Sequence, residues 1–207
     1  MNPVILWLNR LAAFASTPAV VGIFLSGAAI YLIAEWRIRF LAQIAQYFFI
    51  GILFARIFDT RLELALLKIM VGWLISGAFL ISAMNRDESV RGQGLQMQWS
   101  SNVPFRILSL LTMTVVALLG AQRYVLPFIP ADLALACYLL VVLALLFIGT
   151  EEEHPVLGGV GILNLLAALD LFYSAQDPGL LITGMLVIVN LLVGLAISYI
   201  TVAEVAE

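Results

Sequence analysis

The sequence predicts an all-α fold, a polytopic membrane bundle of about seven transmembrane helices, built as two similar three-helix halves joined by a spacer helix. Three observations carry this expectation. Of 207 residues, 63% are hydrophobic and only 11% are charged, and the mean hydropathy is +1.09. A soluble globule of this size has too little interior for so much apolar side chain, because its surface must be covered with polar groups. Apolar runs of about 20 residues, the length that crosses a hydrocarbon core, recur along the chain. Strict apolar–polar alternation is missing, which argues against an outer-membrane barrel.

The expected spans lie near 16–35, 38–57, 62–84, 104–126, 131–149, 156–173 and 179–202. Charged or turn-forming clusters separate them: Glu35-Trp36-Arg37, Asp59-Thr60-Arg61, Thr150 to Pro155, and Gln176-Asp177-Pro178-Gly179. Thr17-Pro18 is a tolerated helix-start pair. Residues 1–15 read as an interfacial segment, with Trp7 and Arg10 at the membrane surface. Residues 16–84 form the first half, 85–130 a polar loop and the spacer helix, and 131–207 the second half. Both triplets then point the same way through the bilayer, as in a parallel repeat. With the N-terminus outside, Arg37, Arg39, Arg86, Arg91 and Arg106 face inward against Arg10, Arg56, Arg61 and Arg123 outward. The positive-inside rule therefore favours N-outside by a single arginine.

Composition also removes whole classes of chemistry. The net charge of −3 supplies no basic field for nucleic acid. One cysteine, Cys137, cannot form an internal disulfide or a multi-thiolate centre, and one histidine, His154, cannot provide paired haem or zinc ligation. His154 beside Glu151, Glu152 and Glu153 reads as a solvated acidic turn, so no metal and no cofactor is expected. Neither a phosphate-binding loop nor a dinucleotide fingerprint is present in the sequence. Gly158-Gly159-Val160-Gly161 reads as a helix-crossing surface.

Function has to be sought in the polar groups kept inside the spans. Lys68 lies about two turns into the third span, where an ammonium costs several kcal/mol unless it snorkels, pairs or meets water. It either reaches back to the interface or faces the bundle as an ionisable relay, with Glu63 or Asp59 as expected counter-charges and pairing across helices favoured. Gln43 and Gln46 share a face of the second span, as helix glue or as a stop on a water path. Asn164 and Asn190 lie deep in the sixth and seventh spans and are expected to face protein. Asp170, near the end of the sixth span, is expected to reach the headgroups. Arg56, Asp59 and Arg61, with Glu63, read as an interfacial charge cluster.

This arrangement resembles the hydrogenase-4 component E family, a membrane subunit related to the K subunit of respiratory complex I. The likeness rests on a glutamine in span two (Ala45-Gln46-Tyr47), a lysine in span three (Leu67-Lys68-Ile69), the seven-span layout, and Pro155 to Asn164 at the start of span six. The family has a Glu-Asn pair there, of which this chain keeps only Asn164. The resemblance implies a non-catalytic subunit in a bacterial or archaeal cell membrane. It would have no redox centre and would pack between a quinone- or hydrogenase-coupled arm and antiporter-like subunits. Lys68, Gln46, Glu63, Asn164 and Asn190 would then belong to a proton path. The competing expectation is a structural or assembly subunit of a respiratory or photosynthetic complex, without transport. A small solute transporter fits less well, because Pro104, Pro127, Pro130, Pro155 and Pro178 sit near span ends rather than mid-membrane.

Overall fold

The computed structural model describes residues 16–58, 62–86, 102–124, 129–150, 155–176 and 179–203. The expected interfacial segment 1–15, most of the polar loop after Arg86, Asp59 to Arg61, and the Glu151–His154 turn lie outside the described residues. Within them the chain forms seven helices: α1 (Ser16–Leu32), α2 (Trp36–Ile57), α3 (Leu62–Arg86), α4 (Val103–Arg123), α5 (Ala131–Ile148), α6 (Pro155–Gln176) and α7 (Leu180–Ala203). Helices α2 to α7 are each long and apolar enough to cross a membrane. The protein is a multi-pass membrane protein.

Helix α1 is the exception to the expected spans. Its 17 residues reach about 25 Å at 1.5 Å per residue, short of a ~30 Å hydrocarbon core. The expected span ran to residue 35, but the helix ends at Leu32. Glu35 is extended (φ −62°, ψ 116°), and the Ile33 carbonyl accepts a 2.6 Å hydrogen bond from Arg39 Nε. That bond satisfies backbone at the helix end and lets the chain reverse in three residues.

The packing is two rows laid face to face. Helix α2 packs between α1 and α3, α6 packs between α5 and α7, and α1 rests on α5, α2 on α6 and α3 on α7. Helix α4 lies outside the rows, against α5 and the edge of α1. Helix α5 is apolar on all sides and carries more of the core than any other helix, including the fully enclosed Leu140, Leu143 and Phe147, as expected for a helix largely surrounded by protein. By contrast α4 and α7 turn long apolar faces outward, among them Leu108, Leu119, Leu181 and Ile188. These are ordinary lipid-facing or subunit-facing side chains in a membrane protein.

Polar contacts fix the orientation of α4. The buried Arg106 donates to the Tyr31 carbonyl at 2.7 Å and lies 5.1 Å from the centroid of the Tyr31 ring. The Tyr31 hydroxyl also hydrogen-bonds Ser109 at 2.9 Å. A charge in apolar surroundings is tolerated only with such partners.

Glycines set the spacing of α2 and α3. A Cβ on Gly51 would lie 2.0 Å from Ile69, and one on Gly72 would lie 2.3 Å from the Tyr47 ring. Close backbone approach of this kind is how membrane helices gain dispersion contacts without a hydrophobic drive between them. We expect Gly72→Val to destabilise the folded bundle by about 1–3 kcal/mol through overpacking. Gly77→Ala, whose Cβ would enter open space, should be neutral or slightly stabilising. Melting curves in mild detergent check this, and equal stability of the two variants would refute the packing argument.

Candidate functional site

Lys68 and Asp170 come from opposite rows of the bundle and meet in its interior. Six residues separate Lys68 from the start of α3, and six separate Asp170 from the end of α6. At 1.5 Å per residue each stands about 9 Å in from its helix end. Helices consecutive in the chain run antiparallel, so the start of α3 and the end of α6 belong to the same side of the bundle. The side chains form an ion pair, with Lys68 Nζ donating to Asp170 Oδ2. Lys68 is 7% exposed and Asp170 1%.

Both groups have further partners. Asp170 Oδ2 accepts from Asn190 Nδ2 of α7 at 3.3 Å, and Oδ1 accepts from the Ser174 hydroxyl one turn along α6 at 3.3 Å. The Lys68 ammonium sits 5.1 Å from the centroid of the Phe54 ring on α2, a cation–π contact that gains strength away from water. Four helices thus contribute to one charge-neutral cluster. Beside it is a cavity of about 20 Å³, lined by Tyr47, Phe54, Lys68, Asp170 and Asn190 among others. That volume admits about one water, which polar walls on this scale can hold.

Several of the polar residues singled out in the sequence lie further into the bundle from this pair. Measured along their helices from the same side, Asn190 and Tyr47 stand at about 15 Å, Gln46 and Asn164 at about 16–18 Å, and Gln43 at about 21 Å. Tyr47 is hydrogen-bonded to Gln43. Gln46 is 1% exposed and Asn164 3%. Both amide atoms of Gln46, Nδ2 of Asn164 and Nε2 of Gln43 have no protein partner. Buried amides left this way cost free energy unless water satisfies them. Helices α2 and α6 pack on each other, and these amides stand buried at similar depths on the two of them.

Two expectations are corrected here. Asp170 does not reach the headgroups; it is the counter-charge of Lys68, because a neutral pair with three hydrogen bonds is far cheaper than two separated buried ions. Glu63 does not neighbour the lysine; it is exposed in the first turn of α3, five positions away and on a different face. Lys68 does not snorkel. Of the expected interfacial charge cluster, Arg56 falls among the described residues. Arg56, in the last turn of α2, pairs with Asp132 in the first turn of α5. Each sits where the helix dipole favours its sign. Asp59 and Arg61 lie outside the described residues. Among the described residues no group of three or more potential metal ligands is found.

Asp170, Ser174, Phe54 and Tyr47 were not singled out as members of this site. One signal in the sequence pointed to Asp170. A buried cation requires a buried anion, and of the acidic residues in the described helices Asp170 stands furthest from a helix end. No protein-family model matches the chain, and neither the curated proteins nor the solved structures give a match.

Truncating either partner strands the other charge, so Lys68→Met and Asp170→Leu should each destabilise the protein by about 3–5 kcal/mol. The double variant should lose clearly less than the sum, which denaturant unfolding in micelles measures directly. Additive losses would mean that the two groups do not act as a pair.

Proposed function

We propose that the chain is a non-catalytic membrane subunit of a complex I-like or membrane-hydrogenase-type redox complex, and that its buried polar groups form part of a proton path. The single observation supporting this reading is the Lys68–Asp170 pair, held inside the bundle beside a water-sized cavity. Two ionisable groups in contact can exchange charge states as protons come and go. The ammonium can release a proton when the carboxylate takes one, and the pair stays close to neutral throughout. Asn190, Gln46, Asn164 and Gln43 would carry the path onward as hydrogen-bonded stations for water.

The residues present supply no redox ligands, so electrons would travel in partner subunits. The resemblance drawn from Gln46 and Lys68 makes those partners antiporter-like subunits and a quinone- or hydrogenase-coupled arm. The apolar outer faces of α4 and α7 would meet them or lipid. In a cell membrane with the N-terminus outside, the Lys68–Asp170 pair would lie nearer the outer surface.

A specific observation also favours a second reading. The carboxylate of the pair is hydrogen-bonded at both oxygens and the cluster joins α2, α3, α6 and α7, as a device that fixes helix register would. Transport separates the two. In the assembled complex, Lys68→Met and Asp170→Asn should abolish most redox-driven proton movement while co-purification of the partner chains in mild detergent persists. Full proton movement in an assembled Lys68→Met complex would leave only the register role. Failure of antiporter-like or redox subunits to co-purify with the wild-type chain would remove the complex itself.

A further inference from the structure

Two voids of different character lie near the Lys68–Asp170 pair, one lined by the pair itself and one reached from it through Ser174. The first is the cavity of about 20 Å³ described above. The second, toward the nearer end of the bundle, is a larger and more open hollow of about 180 Å³, lined by Arg56, Ile57, Pro130, Leu133, Ser174 and Ala175. Ser174 belongs to both settings. It lines the hollow, and its hydroxyl donates to Asp170 Oδ1 at 3.3 Å. Arg56 on its wall is ion-paired with Asp132, the Arg56 side chain being 39% exposed and that of Asp132 20%.

We infer that this hollow is a one-sided aqueous vestibule, through which the buried pair communicates with the membrane face carrying the α2 C-terminus, with Ser174 as its threshold. The inference rests on the proposed proton path and adds its direction of access. The geometry supports it in three ways. The volume accommodates several waters rather than one. Arg56 puts a partly exposed charge on the wall, so water there meets a group that is already partly hydrated. The inner wall offers a hydroxyl that is donor and acceptor at once. A proton arriving from vestibule water binds a lone pair of Ser174 Oγ as the hydroxyl proton passes to Asp170 Oδ1, so one proton enters and one is delivered. Toward the opposite face, the described path runs instead through the amides of Gln46, Asn164 and Gln43 and one water-sized cavity.

Thiol labelling in sealed vesicles tests the access directly. Cys137 is the single native cysteine, so the full-length chain with Cys137→Ala provides a thiol-free background. Arg56→Cys and Glu35→Cys then mark the two faces. Ser174→Cys and Ala175→Cys probe the vestibule, and Ala167→Cys probes the inner cavity. The probe is a membrane-impermeant trimethylammonium methanethiosulfonate. Ala175→Cys should react from the same face as Arg56→Cys and from that face only. Ser174→Cys should follow more slowly, since the nearby carboxylate disfavours its thiolate. Ala167→Cys should react at least about tenfold more slowly than Ala175→Cys, as buried thiols do. Protection of both vestibule thiols from both faces, or equal labelling from both, would overturn the inference. No turnover is needed, so the outcome is independent of the transport assay. A Lys68→Met complex that pumps normally removes the relay without closing the vestibule, whereas protected vestibule thiols remove the access route without touching the relay.

Discussion

A lysine and an aspartate held together away from water set the terms for the rest of this structure. Neither charge could stay in hydrocarbon alone, and together they need hydrogen bonds on every remaining side. Asn190 and Ser174 meet that need for the carboxylate, and the Phe54 ring does so for part of the ammonium. These partners lie on α2, α6 and α7, so satisfying the pair requires both rows of the bundle to be correctly seated. The pair is therefore a consequence of the fold and a condition on it.

The surrounding packing keeps that arrangement tight. Gly51 and Gly72 allow α2 and α3 to approach until the rings and branched chains of each fill the other's gaps. Tyr47 can then lie against Gly72 and turn toward the cavity beside Lys68. A larger residue at either glycine would push α2 away from α3 and shift Phe54 from beneath the ammonium. Small residues at the crossing thus serve the polar site as much as they serve helix association.

Polarity is distributed unevenly along the molecule. One end carries Arg56, Asp132, Ser174 and the buried pair within roughly two turns of the helix ends. The middle holds amides whose partners are missing from the protein, and the other end is closed by Arg39 on Ile33 and Arg106 on Tyr31. A membrane protein without transport duties can confine its polar groups to its ends. The buried, unpartnered amides of α2 and α6 are the groups the proposed hydrated path would use.

The helical membrane architecture was legible in the sequence, since span length and apolar content follow from bilayer thickness and from the need to satisfy backbone hydrogen bonds within each span. Helix boundaries were legible to within three residues, the early end of α1 being fixed by a side chain from α2. The unusual character of Lys68 was also evident, because its cost depends only on depth. What the sequence could not decide was the partner. Glu63 is near in sequence, whereas Asp170 is 102 residues away and becomes a neighbour only when α6 docks against the first row. Side-chain contacts across helices depend on rotation and crossing, which hydropathy does not encode. The vestibule depends on them still more, being bounded by residues from α2, α5, α6 and the segment before α5.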